Sequence, residues 1–216
     1  MKRFLILSLI SLILLLPVNA PAQETSLGRG VYFLSRYIAS EQFANLKLQN
    51  DDLSMTDSLY LKALDYTDGN ISEALLFLTF TTVPYNKIPL VIPGIRLSVP
   101  IPLVSANDSI FELKNRNLPS QLFFDTPQDG YGDRDKLAHF FGSAYLSHIS
   151  NIFDFTKIIG IFVEEFEEKF YIQSKADPRD IRADDMGNMF GKALKKNKKL
   201  MPSHVLGIFP LTLFRY

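Results

Sequence analysis

Apolar residues recur every three or four positions along much of the chain, and this spacing predicts a mainly helical protein. The first such stretch covers residues 30–48 and predicts one helix. Thr56 and Asp57 then form a typical helix start, and the sequence Thr-Asp-Gly-Asn at 67–70 is typical of a turn. Because a further apolar stretch follows this turn, we predict a helical hairpin over residues 57–82.

A proline-rich apolar segment follows this hairpin. Proline lacks a backbone donor and breaks helices, so residues 84–102 must be extended. One prediction is an apolar arm, or a pair of edge strands, packed over the helices. The alternative is a surface that contacts lipid or a peptide. The segment contains five prolines: Pro84, Pro89, Pro93, Pro100 and Pro102.

The C-terminal half begins with a loop and continues with three helices. Glycine, aspartate and proline predict the loop over residues 119–134. Pro178 stands where proline favours the first turn of the third helix. The predicted fold class is therefore mainly α, a helical bundle with a proline-rich extended arm or short edge strands. The three helices are predicted at 135–150, 156–171 and 179–196.

The N-terminus has the features of a secretory signal peptide. Lys2 and Arg3 precede an apolar run over residues 4–16, and small residues at 20–22 allow cleavage after Ala22. The run is shorter than the ~20 residues of a membrane-spanning helix, although a permanent anchor is the alternative. We predict an exported protein of the periplasm or cell envelope. The predicted regions are a signal peptide at 1–22, an N-terminal helical region with the proline-rich arm at 23–129, a three-helix region at 130–200 and an apolar tail at 201–216.

Composition limits the partners and the chemistry. The 23 Lys and Arg residues balance 23 Asp and Glu residues, so the chain lacks a basic field and we predict no nucleic-acid partner. The chain has no cysteine, which excludes disulfides, thiolate metal sites and a lipid-modified cysteine. Five lysines within 192–199 are typical of a solvated helix C-terminus, and contact with an anionic membrane surface is the alternative.

Two of the three C-terminal helices place polar residues in unusual positions. On the first helix, Asp135 and His139 share a face with small residues, opposite the apolar side. On the second helix, Glu165 falls among apolar neighbours and needs a partner there. A surface ion pair between Glu165 and Lys169 is the alternative.

The third helix carries a stripe of acids and glycines. Asp180, Asp184, Gly187 and Gly191 follow one another at intervals of four, three and four. Each glycine inside a helix costs about 0.5–1 kcal/mol relative to alanine, so close packing or ligand approach must offset that cost. We therefore expect the stripe to face the helix of His139.

These polar residues define the candidate site. Singly they have structural explanations: Asp135 as an N-cap, Asp180 as a first-turn acid, and His139 as a hydrogen-bonded core histidine. Together they predict that three helices converge on one functional cluster. Its candidate catalytic residues are His139, Asp135, Glu165, Asp180 and Asp184.

The order and spacing of these residues resemble a known family. The run Asp135-Lys136-x-x-His139-Phe140, the pair Glu164-Glu165 and the run Arg179-Asp180-Ile181-x-x-Asp184-x-x-Gly187-x-x-x-Gly191 are similar to the YfiM-type periplasmic lipoproteins. That bacterial family has no known function, and the VanZ-like membrane proteins are more distantly similar. The resemblance covers about residues 130–195 and implies a common fold and site, to which it adds Lys136. This chain departs from the family by lacking the lipobox cysteine and by its long N-terminal extension.

Two functions follow from these observations. The first is a non-enzymatic envelope protein whose polar cluster organises the helices or binds a small polar or lipid headgroup ligand. The alternative is a metal-dependent hydrolase that uses His139 as a base or metal ligand with Glu165, Asp180 and Asp184. A serine nucleophile is less favoured, because Ser143 lies one turn from His139 on the same helix and no Gly-x-Ser-x-Gly motif occurs. The sequence names neither a cofactor nor a particular ligand.

Overall fold

The computed structural model describes residues 25–92, 97–150 and 177–208, and this part of the chain is mainly α-helical, as predicted. The predicted signal peptide, the predicted helix at 156–171 with its glutamates, and residues 209–216 lie outside the described residues. The described elements are α1 (Ser26–Ala39), α2 (Glu41–Lys47), α3 (Asp52–Tyr66), α4 (Ile71–Thr82), β1 (Lys87–Ile92), β2 (Leu97–Pro102), α5 (Asp108–Asn117), α6 (Lys136–Ile149), α7 (Pro178–Leu194) and α8 (Pro202–Leu206).

The single helix predicted over residues 30–48 is wrong, because the chain breaks it at Ser40. The backbone of Ser40 is extended, and its N–H donates to the carbonyl of Tyr37 at the end of α1. Its hydroxyl accepts the N–H of Phe43 and so caps the start of α2. One serine therefore ends one helix and begins the next, which helix-period spacing alone does not reveal.

The helical hairpin is confirmed, but its predicted start at Thr56 and Asp57 is wrong. Helix α3 begins at Asp52, because the Asp51 carboxylate accepts the N–H of Ser54 and caps the helix. Thr56 lies inside the helix and donates its hydroxyl to the carbonyl of Asp52. The turn between α3 and α4 contains Gly69 at a φ of 80°, a conformation that glycine adopts without strain.

Where the structure describes it as strand, at Lys87–Ile92 and Leu97–Pro102, the proline-rich segment is extended, as its prolines predict. Strands β1 and β2 pair antiparallel, with Lys87 opposite Pro102 at the open end. The following helix, α5, was not predicted. Its fully buried residue is Lys114, while Ile110 and Phe111 are half-buried. The Lys114 Nζ donates to the carbonyls of Thr81 and Val83, at 2.9 and 2.8 Å, and so ties α5 to the C-terminal end of α4.

Helices α6 and α7 match the predicted ranges 135–150 and 179–196 to within two residues. A Cβ atom on Gly187 would overlap the carbonyl oxygen of Phe140, and one on Gly191 would overlap that of Ala144. The glycine stripe therefore faces α6, as expected, and allows the two backbones to touch. The apolar side of α6 lies in the core, with Leu137, Phe140, Phe141 and Ala144 all buried.

The predicted apolar tail at 201–216 begins with the short helix α8. The Asp57 carboxylate of α3 accepts the N–H and the hydroxyl of Ser203, at 2.8 and 2.5 Å, and holds this helix in place. Val205 and Leu206 are buried against the core. None of the helices in the described ranges has the length and apolarity to cross a membrane.

Candidate functional site

Lys136, the first residue of α6, lies at the centre of a cluster of carboxylates. Its Nζ is 2.7 Å from Asp135 Oδ2, 2.7 Å from Asp180 Oδ1 and 3.1 Å from Asp177 Oδ2. Asp135 precedes α6, while Asp177 and Asp180 belong to the start of α7. The residue is only 3% exposed, so one buried ammonium joins the N-terminal ends of both helices.

The charge state of this cluster follows from the balance between burial and charged partners. Burial would lower the pKa of Lys136, but hydrogen bonds to Asp135 and Asp180 outweigh it, and the pKa lies above its ordinary value. For Asp177, burial would raise the pKa, but hydrogen bonds from Arg179 and Lys136 hold the pKa well below its ordinary value. The ammonium and the Asp177 carboxylate are therefore both ionised near neutral pH.

His139 lies one turn after Lys136, between two carboxylates of α7. Its Nε2 is 3.5 Å from Asp180 Oδ1, and its Nδ1 is 3.4 Å from Asp184 Oδ1. Burial and the positive charge of Lys136 would lower the pKa of His139. The hydrogen bond and charge of Asp184, together with the charge of Asp180, outweigh them and raise the pKa above its ordinary value. With a carboxylate beside each ring nitrogen, the site favours the imidazolium.

Ser143 does not face His139 as a catalytic serine would. Its hydroxyl donates to Asp184 Oδ1 at 2.7 Å. Asp184 therefore accepts from the serine and faces the imidazole, and it links two successive turns of α6 to α7. This arrangement agrees with the expectation that Ser143 is poorly placed as a nucleophile.

Four of the five candidate residues come together in the structure: Asp135, His139, Asp180 and Asp184. Glu165 lies outside the described residues. Asp135 occupies the N-cap position of α6, but its side chain makes no capping hydrogen bond, so that structural explanation is wrong. Its carboxylate pairs with Lys136 instead. Asp180 is a first-turn acid of α7, as expected, and it contacts the cluster as well.

Behind the cluster lies a buried ion pair that the sequence analysis missed. Asp133 is fully buried, and its Oδ1 is 2.6 Å from Arg179 Nη1. Its Oδ2 accepts the N–H groups of Leu122 and Phe123, each at 3.2 Å, and the hydroxyl of Thr126. This carboxylate fixes the preceding loop against the start of α7. Its sequence context, Gly-Asp within a predicted loop, gave no sign of burial.

Two tyrosines, also missed, lie within electrostatic reach of the cluster. Burial raises the pKa of Tyr85, and the charges of Asp135 and Asp180 raise the pKa further. Burial likewise raises the pKa of Tyr131, with a further contribution from Asp135. The two residues remain 51% and 45% exposed, so part of each side chain is open to solvent.

The carboxylates and the imidazole of the cluster are groups that can bind metal ions in proteins. Within residues 25–92, 97–150 and 177–208, no three His, Asp or Glu side chains are arranged to hold a metal ion. The carboxylates of the cluster instead face Lys136, His139 and Arg179. In the described part of the chain, the arrangement is that of an ion-pair network with one side open to solvent.

The comparisons with protein families, with curated proteins and with solved structures find no match to this chain.

Proposed function

We propose that this chain is an exported cell-envelope protein of the YfiM type, in which the cluster around Lys136 joins α6 to α7 and binds a small polar ligand or lipid headgroup at its open side. The observation that carries the proposal is the position of His139. Its side chain is 36% exposed although it lies between two carboxylates, whereas Lys136 beside it is buried. The imidazole and the Asp184 carboxylate beside it therefore reach solvent, where a ligand can contact them.

The charges of the cluster indicate the kind of ligand. Five carboxylates face three cations, Lys136, His139 and Arg179; the carboxylates are those of Asp133, Asp135, Asp177, Asp180 and Asp184. The excess of acceptors favours a ligand with an ammonium group or several hydroxyl donors. The aromatic rings of Tyr85 and Tyr131 suit an ammonium group as well, because a cation is attracted to the face of an aromatic ring.

The alternative function is a metal-dependent hydrolase that uses His139 with Glu165, Asp180 and Asp184. A metal ligand must be a neutral imidazole, and the metal would have to displace a carboxylate partner from one ring nitrogen. The two carboxylates beside His139 favour its protonated form instead. The observed geometry therefore supports ligand binding better than metal hydrolysis.

Ethanolamine is a suitable probe, because it carries the ammonium and hydroxyl of a common lipid headgroup. We expect ethanolamine to shift the ring resonances of His139 and to raise the melting temperature of the mature protein. Asp184→Asn should abolish this stabilisation, because it neutralises the exposed carboxylate beside His139 that would accept the ammonium group. His148→Gln is the matched control, because His148 lies on the same helix with its Nδ1 3.2 Å from the carbonyl of Gly191, away from the carboxylates.

Equal stabilisation of both variants by ethanolamine would contradict the proposed site. The same melts with Zn²⁺ or Mn²⁺ separate the two functions. Stabilisation by a metal that disappears in His139→Gln, without any response to ethanolamine, would favour the hydrolase.

Export has its own test. The protein recovered from the cell-envelope fraction should have the intact mass of a chain that begins at Gln23, because the predicted cleavage follows Ala22. A mass that still includes residues 1–22 would indicate a permanent anchor instead.

A further inference from the structure

The outward face of α1 carries cations and aromatic rings. Its opposite face is buried in the core through Val31, Leu34 and Ile38. At 100° per residue, the outward positions follow the same helical spacing and fall on one continuous strip. That strip consists of Arg29, Tyr32, Phe33, Arg36, Tyr37 and, at the end of the helix, Ser40.

This strip forms one wall of a cleft, and α3 forms the other. Lys62 and Tyr66 of α3 and Gln42 of α2 complete the lining, and the cleft has a volume of about 680 Å³. The cleft is open to solvent, and its volume is large enough to hold part of a small organic molecule against its walls. The Phe33 and Tyr66 rings stack with their centroids 4.3 Å apart, so aromatic contact between the two helices fixes the walls.

All the charged side chains that line the cleft are cations. Arg29, Arg36 and Lys62 line it, and none of the described lining residues is an acid. Lys62 also pairs with Asp65 at 2.9 Å, but that carboxylate is 71% exposed and lies outside the lining. An ion pair so exposed contributes little, so it competes only weakly with a bound anion.

The cations are held against the aromatic rings. The Arg36 guanidinium carbon lies 5.9 Å from the centroid of the Tyr32 ring, and Lys62 Nζ lies 5.5 Å from that of Phe33. Such contacts restrict these long side chains to the cleft before any ligand arrives. The cleft therefore combines positive charge with aromatic walls, whereas the cluster around Lys136 combines tyrosines with excess negative charge.

We propose that this cleft is a second binding site, for a small organic anion whose phosphate or carboxylate group is attached to an aromatic ring. Arg36 and Lys62 bind the anionic group, because charge-assisted hydrogen bonds are the strongest that these side chains form. The ring of the ligand packs against Tyr32, Phe33 and Tyr66. The site shares no residue with the cluster around Lys136 and is independent of the proposed function.

Phenyl phosphate is the probe, and isothermal titration calorimetry measures its affinity for the full mature chain. We expect saturable binding that Arg36→Gln and Lys62→Gln each weaken about tenfold. Lys192→Gln is the control, because Lys192 is an exposed cation of α7 outside the lining, and it should leave the affinity unchanged. Tyr66→Leu should weaken phenyl phosphate more than inorganic phosphate, because only the former has a ring to pack.

Three results would overturn the proposal. The first is that phenyl phosphate does not bind, and the second is that it binds Arg36→Gln and wild type equally well. The third is that the protein binds only to vesicles that contain phosphatidylglycerol. The last result would make this face a membrane contact instead of a small-molecule site. Arg36 is exposed, so its replacement should leave the melting temperature unchanged and a loss of binding would not reflect unfolding.

Discussion

Two buried lysines, Lys114 and Lys136, show how differently a protein can treat the same side chain. They are 1% and 3% exposed. Lys136 lies among three carboxylates, whereas Lys114 donates to two backbone carbonyls and lies 4.6 Å from the centre of the Phe111 ring.

The pKa values of the two lysines consequently move in opposite directions. Burial lowers the pKa of Lys114 to about 7, while carboxylate partners outweigh burial and raise the pKa of Lys136. Burial is nearly the same at both positions, so the charge of the partners decides the difference. Lys136 is a permanent ionic link between α6 and α7, whereas Lys114 is a helix-capping donor that titrates near neutral pH.

The largest expected effect is that of Lys136→Met. The substitution leaves the carboxylates of Asp135, Asp177 and Asp180 without their shared cation, so we expect a loss of about 3–5 kcal/mol in the free energy of unfolding. Lys114→Met leaves only neutral carbonyls unpaired and should cost about 1–3 kcal/mol at pH 7. Urea denaturation of both variants measures the difference, and equal losses would contradict the contrast between the two lysines.

Gly187→Leu tests whether the ion-pair cluster depends on the close approach of α6 and α7. The added side chain would overlap the carbonyl of Phe140 and force the helices apart, at a cost of about 1–3 kcal/mol or more. Gly142→Ala is the control, since its Cβ would meet only Thr79 Cγ2 at 3.4 Å. If Gly187→Leu melts like wild type, the helices do not pack through the glycine stripe.

The lowered pKa of Lys114 predicts a pH dependence of stability that the Lys114→Met variant should lack. Folded Lys114 releases its proton near pH 7, while the unfolded side chain keeps it to about pH 10.4, so the unfolded state binds more protons between these values. Stability therefore rises with pH there, by up to about 1.4 kcal/mol per pH unit. Unfolding free energies from pH 6 to 10 should show this slope in wild type and not in Lys114→Met. Parallel curves would mean that Lys114 titrates normally.

The smallest expected effect on stability comes from the protonation of His139. It changes with pH in the opposite direction to the effect of Lys114. Because its pKa is raised in the folded state, its contribution to stability is fully present below about pH 6.5 and is lost as the pH rises through the folded pKa. The difference between wild type and His139→Gln should therefore shrink as the pH rises above about 6.5. An NMR titration should place the His139 midpoint above about 6.5, and a lower midpoint would show that the carboxylates do not stabilise its charge.

Helices with an apolar face or an explicit end signal could be predicted from the sequence. Helix α7 begins at Pro178 after Asp177, a first-turn proline preceded by a capping aspartate. Helix α5 was not predicted, although Asn107 caps its start, because it is short and the residue that it buries is Lys114. The start of α3 escaped because Thr56, although typical of a cap, bonds inside the helix instead.

The candidate site was predictable where its residues share one helical face. Asp180 and Asp184 share a face with Gly187, and the cost of glycine in a helix pointed to a close neighbour. Asp133 and Tyr85 carried no such signal, because loop residues have no periodicity from which their direction follows. Pairing between a loop and a helix depends on the tertiary fold, and local sequence contains little information about it.

The buried carboxylate of Asp133 also determines the order in which two parts of the chain can fold. Its cation, Arg179, is 46 residues further along the chain. Until Arg179 has emerged from the ribosome or from the export channel, the chain must leave Asp133 in water or protonate it, because a buried carboxylate without a counter-charge is costly. The loop over residues 122–133 therefore becomes native only after α7 has been synthesised, and a chain truncated before Arg179 should leave that loop open to proteases.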